Sequence, residues 1–148
     1  MLKPTCEFNF QPETYGLSVD YSKESDARIL IDDLLRQAGW DPANKGEVLT
    51  EVSIREIVRE HGASDETISA RSGRADYVLL SARGRPLAVI EAKRSAVQPY
   101  AAKQQALPYA KSVGAPFIFL TNGDLIYFWD YGNDDARIVN SLFSRRDL

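Results

Sequence analysis

GRADYVLLSARGRPLAVIEAKR, residues 73–94, is the stretch from which the fold can be read. Two apolar, β-prone runs, Ala75–Ser81 and Pro86–Ala92, flank Ala82-Arg83-Gly84-Arg85, which predicts an antiparallel hairpin turning at Gly84. A turn centred between Arg83 and Gly84 pairs the start of the first strand with the end of the second, so Asp76 faces Glu91. Carboxylates facing each other across adjacent strands, ~5 Å apart at Cβ, repel unless a cation lies between them. Lys93 follows Glu91 by two positions, and strand alternation puts both side chains on one face.

Working outward, Ser22 is a plausible N-cap, with Glu24 and Asp26 in the first turn. Ala27, Leu30, Ile31, Leu34, Leu35 and Ala38 then recur at helical spacing up to Gly39. Residues 47–53 (EVLTEVS) suit a strand, whereas 54–60 (IREIVRE) fit either a strand or a short helix. Residues 62–73 are polar and loop-like, and the first twenty read as an extended arm. After the hairpin a helix is expected from about Gln98 to Gly114, with Pro108 kinking it or ending it early. Phe117–Thr121, an Asn122-Gly123 turn and Leu125–Tyr131 make a second hairpin. Within it, Tyr127-Phe128-Trp129 reads as strand core. The order is that of an α/β or α+β sheet flanked by helices, within one domain of 148 residues.

The net charge is −3, but its distribution is uneven. From Arg71 to Lys103 there are seven basic residues against Asp76 and Glu91, a local +5 inside a remainder of −8. Such a segment is either a solvated hairpin surface or a patch for a polyanion. The single Cys6 and single His61 exclude a Cys/His zinc site within these residues and an internal disulfide. His61 reads as a solvated loop residue and Cys6 as an ordinary thiol. No apolar run approaches a membrane span, and Pro4, Glu7 and Asn9 interrupt any secretion signal, so a cytoplasmic location is expected. No P-loop motif occurs.

The pattern Asp76-x14-Glu91-x-Lys93 is weak by itself. Its context strengthens it, because both acids fall on β-runs, in facing register, inside the basic stretch. Charge at the end of a buried strand is costly without a partner. Mg²⁺ is a natural occupant, since it takes one or two carboxylates plus water and phosphate oxygens. A salt-bridge cluster of Asp76, Glu91 and Lys93 is the alternative.

These residues resemble the PD-(D/E)XK nuclease core, and more closely the N-terminal endonuclease domain of the R subunit of type I restriction enzymes. The resemblance covers roughly residues 22–131. It rests on Asp76, on Glu91-Ala-Lys93, and on the opening helix with Glu24, Arg28, Ile31 and its Ala38-Gly-Trp40 ending. It also rests on Gln105-x-x-x-Tyr109 and on Thr-Asn-Gly123 followed by Phe128-Trp129. The name-giving proline is Ala75 here, and Pro108 interrupts the second helix between Gln105 and Tyr109.

The resemblance implies a restriction-endonuclease-like α/β core with a mixed central sheet. It implies Mg²⁺, replaceable by Mn²⁺, held by Asp76, Glu91 and the Ala92 carbonyl, with Lys93 as the catalytic lysine. Glu24 is expected either to reach the metal site or to form an exposed pair with Arg28. Gln105 and Tyr109 share a helix face, where they contact DNA or brace the site. Arg74, Arg83, Arg85, Arg94 and Lys103 are expected on phosphates of double-stranded DNA. The family further implies a longer chain carrying a helicase-like motor, which alone would use ATP, together with modification and specificity subunits. Two rival expectations are a catalytically silent DNA-binding or docking module with the same fold, and a stand-alone repair or resolvase-type nuclease.

Overall fold

The computed structural model describes residues 24–53 and 73–148, and its centre is the predicted hairpin. The first strand after the opening helix is β1 (Val48–Ser53), and the hairpin strands are β2 (Arg74–Leu80) and β3 (Pro86–Ala92). Tyr77 pairs with Ile90, Val78 with Val89 and Leu79 with Ala88, after a register shift between Leu79 and Leu80; Asp76 and Glu91 are the next positions beyond this ladder. Gly84 supplies the turn with a φ of 73°, and the Ser81 hydroxyl accepts from the Arg83 and Arg85 amides.

Among the described residues six strands form one mixed sheet in the order β1 to β6, with β4 (Phe117–Thr121), β5 (Ile126–Trp129) and β6 (Arg137–Val139) completing it. β3 and β4 are parallel, and the other neighbours are antiparallel. A parallel pair requires a crossover. It is made by a 3-10 turn, Pro99–Ala102, running into helix α2 (Lys103–Val113).

Both faces of the sheet are covered. Ala102, Ala106, Ala110 and Val113 of the crossover pack on Val78, Val89, Ile118 and Leu120, the small alanines letting the helix sit close. On the other face Ile31 and Leu35 of α1 (Glu24–Gln37) join Leu79, Ile90, Phe119 and Phe128. Burial on two sides explains why β2 and β3 read as continuous apolar runs. The predicted apolar stripe of α1 is the one that faces inward. Leu30 lies against Gly123, where φ is 94° and a Cβ would stand 2.8 Å from the leucine.

Tyr77 ties α1 down, its buried phenol donating to Asp32 at 3.0 Å and lying 3.3 Å from the Arg28 carbonyl, the alternative acceptor for its one proton. Burial first, and the neighbouring Asp32 carboxylate second, push this phenol well above its ordinary ionisation range. The unfolded chain releases that proton near pH ~10 while the folded chain keeps it, so stability falls as pH rises beyond that point. Tyr77→Phe is therefore expected to make the alkaline loss shallower, at a cost of about 1 kcal/mol at neutral pH for the lost hydrogen bond. Denaturant titrations of both proteins across about pH 8–11 would read this.

Two expectations need correction, and one region goes beyond them. Helix α2 runs through Pro108 without interruption. Pro108 and Gln104, whose carbonyl loses its helical partner, are both exposed, so that carbonyl can be hydrated. β5 is shorter than Leu125–Tyr131, because the Asn122 side chain accepts from the Asp124 and Leu125 amides and lengthens the loop. β6 and the C-terminal segment were not foreseen. Phe143 packs on Phe128 and Phe119, and its carbonyl receives the Trp40 indole N–H at 2.8 Å. The N-terminal arm, Cys6, residues 54–60 and His61 lie outside the described residues.

Candidate active site

Asp76 and Glu91 are buried, at 7% and 2% exposure, near the start of β2 and the end of β3. Two carboxyl groups so enclosed demand compensation. Asp76 receives it from Arg28 of α1, whose guanidinium is 2.7 Å from Oδ1, and from the Ala92 amide, 2.8 Å from Oδ2. Glu91 has the Lys93 ammonium 3.3 Å from Oε1. Lys93 also donates to the Gln105 side-chain oxygen at 2.9 Å. Two of its three N–H groups thus have acceptors among the described residues, leaving the third for a ligand.

The local backbone departs from regular strand here. Ala75 packs with Val78 and Leu80 in the α2-side cluster, which strict alternation forbids, and Asp76 reaches α1 instead. The β1–β2 register, pairing Thr50 with Tyr77 and Val52 with Ala75, puts Glu51 opposite Asp76. Glu51 has a φ of 51°, a left-handed conformation that costs roughly 1–2 kcal/mol in a residue with a Cβ. Its carboxylate forms an ion pair with Arg28.

Helix α2 touches both halves of this site from one face. Gln105 holds Lys93, and one turn on, Tyr109 lies against Gly73, just before β2. A Cβ on Gly73 would fall 2.4 Å from the Tyr109 ring, so only glycine admits that contact. From the sheet side, Asn122 donates to the carbonyls of Ser95 and Val97, both at 3.1 Å, and Thr121 accepts from the Lys93 amide at 2.8 Å. These bonds fix the chain just after the lysine.

The other expected residues are more scattered. Arg74 and Arg94 are exposed and flank Asp76 and Lys93 in sequence. Lys103 is engaged with Asp135 and lies over the Trp129 and Tyr100 rings, at 4.4 Å and 5.1 Å from their centroids. Arg83 and Arg85 occupy the hairpin turn, roughly 20 Å from the acids at ~3.3 Å per residue. They do not belong to this cluster. Glu24 opens α1, but its side chain lies outside the described residues. Sequence reasoning missed Gly73 and Glu51, and it gave Arg28 no partner except Glu24.

The donor set suits Mg²⁺. Each carboxylate oxygen retains acceptor capacity beyond the bonds described for Asp76, and one or two carboxylates suffice for this ion. Among the described residues no group of three or more Asp, Glu, His or Cys stands where it could hold a metal ion.

A mixed sheet between helices, with buried acids near the ends of two adjacent central strands and a lysine two residues on, is the arrangement of a restriction-endonuclease-like α/β domain. Residues 56–137 match the family model described as the type I restriction enzyme R protein N terminus. The chain therefore belongs to that family. The type I restriction enzyme EcoAI endonuclease subunit of Escherichia coli is 41% identical over 96 residues, which are 63% of this chain and 11% of that protein. A solved structure described as an HsdR-subunit fragment of a type I restriction enzyme from Vibrio vulnificus YJ016 superposes with a TM-score of 0.66 at 24% identity. It covers 85% of this chain and 24% of its own, and it shows the common fold. No helix among the described residues is long and apolar enough to cross a membrane.

Proposed function

We propose that this domain is the Mg²⁺-dependent endonuclease of a type I restriction enzyme, hydrolysing phosphodiester bonds of double-stranded DNA. The observation that supports this reading is the β2–β3 ladder, which brings the start of one strand beside the end of the other, with Lys93 on Glu91 and Gln105 behind the lysine. Asp76, Glu91 and the Ala92 carbonyl would hold the ion, which when bound supplies Lewis-acid charge to a water nucleophile and to the phosphate.

The chain's own part is positioning. Lys93, held by Glu91 and Gln105, directs its remaining N–H toward water or a phosphate oxygen, where developing negative charge is offset. The exposed Arg74 and Arg94 flank it for the DNA backbone, and they read no bases. In this reading a helicase-like motor in the same polypeptide uses ATP, modification and specificity subunits choose the target, and the assembly works in the cytoplasm.

NMR line broadening by Mn²⁺ tests the site. Broadening is expected around Asp76, Glu91 and Lys93, and Asp76→Ala should abolish it. Equal, diffuse broadening in both proteins would overturn the metal site. It would favour a silent DNA-binding or docking module, for which the Arg28–Asp76 pair, a charge balance complete without metal, is the supporting observation.

A further inference from the structure

Arg28 lies between two carboxylates that belong to different strands. One terminal nitrogen bonds Asp76 Oδ1 at 2.7 Å, and the other pairs with Glu51. Its Nε is buried with no acceptor among the described residues, so two terminal contacts hold the guanidinium. The two partners are unequal. The Asp76 side chain is 9% exposed and that of Glu51 is 51% exposed. Glu51 faces this arginine from a left-handed backbone position directly opposite Asp76, a conformation that persists only where the surroundings impose it.

We propose that Arg28 is a resident counter-ion that competes with the divalent cation for Asp76, and that Glu51 is the acceptor onto which it withdraws. The proposal rests on the metal site proposed above and deepens it. In the free domain the guanidinium keeps the buried aspartate compensated and aimed. A divalent ion at Asp76 stands next to that positive charge and is repelled by it. A second carboxylate outside the site lowers the cost of moving the arginine aside. Arg28 and Glu51 are thus positioning residues that set the site's metal affinity, without touching the reacting phosphate.

The test measures Mn²⁺ affinity of the chain by electron paramagnetic resonance of the unbound ion, with thermal melts confirming folding. Arg28→Met keeps the aliphatic stem and removes the charge. It should tighten Mn²⁺ binding by about tenfold, the order expected for removing a unit charge a few ångströms from a divalent ion in a wet site. Glu51→Gln should weaken binding severalfold, because the arginine then has Asp76 alone. In an Arg28→Met background Glu51→Gln should change little. Unchanged or weaker binding in folded Arg28→Met would overturn the proposal and leave the metal site standing. A Glu51 effect of equal size in both backgrounds would show direct action on the ion and would overturn the withdrawal step. If wild type binds no more Mn²⁺ than Asp76→Ala, the metal reading itself fails and this proposal with it.

Discussion

In the restriction enzyme proposed above, Lys93→Ala should lower DNA cleavage by at least about a hundredfold while ATP hydrolysis by the proposed motor continues. The magnitude is that of deleting one preorganised donor aimed at developing charge, roughly 10²–10³ in rate. Lys93 is only partly exposed, and it spends two donors on Glu91 and Gln105, so its ammonium is already aimed before substrate arrives. Lys93→Arg should not restore activity, because the planar guanidinium is a different donor array on a longer stem. Gln105→Ala removes a positioning bond and leaves the charge in place, so about a tenfold loss is expected, consistent with one hydrogen bond to a charged group. Gel assays of plasmid cleavage, run beside an ATPase assay, separate these effects from damage to the motor. Cleavage by Lys93→Ala at the wild-type rate, with the subunit folded and assembled, would rule out the proposed mechanism.

The central hairpin was legible because its turn and both its strands lie within residues 73–94. Gly84 marked the turn, and the pairing of Tyr77, Val78 and Leu79 is the counted one, reached through a register shift between Leu79 and Leu80 that the sequence does not signal. The α1 stripe was legible for the same local reason, one face of one helix recurring over three turns. What escaped depends on contacts between distant segments. Arg28 meets Asp76 across 48 positions, and the sequence offers no pattern linking them. EVLTEVS suits a strand, and nothing in it signals that Glu51 turns left-handed. Phe143 carries no periodicity, yet it closes one face of the sheet. Gly73 did carry a signal, since a glycine at the start of a strand often marks a close approach. Its partner, Tyr109, becomes known only once α2 is docked.

That contact yields the other large effect. Gly73→Ala should destabilise the domain by about 1–3 kcal/mol, the usual cost of overpacking a filled site. The added Cβ would stand 2.4 Å from Tyr109 Cε1 and 2.5 Å from its hydroxyl oxygen. Either the ring leaves or the entry to β2 moves. Tyr109 packs against the α2-side core, so expelling the ring exposes apolar surface. Moving the strand instead displaces Arg74-Ala75-Asp76, where the hydrogen bonds from Arg28 and the Ala92 amide fix the carboxylate. A shift of about 1 Å there can cost about a hundredfold in rate. Cleavage should therefore fall even at temperatures where the variant stays folded. The double-mutant cycle with Tyr109→Ala decides between a direct clash and a general weakness of the Gly73 backbone. With the ring gone, Gly73→Ala should cost well under 1 kcal/mol, as for a substitution into open space. A penalty as large as in wild type would show that Tyr109 is not what the glycine accommodates. It would also remove the physical reason for placing Gln105 and Tyr109 on one face, where a single turn of helix braces the strand carrying Asp76 and the lysine at the end of β3.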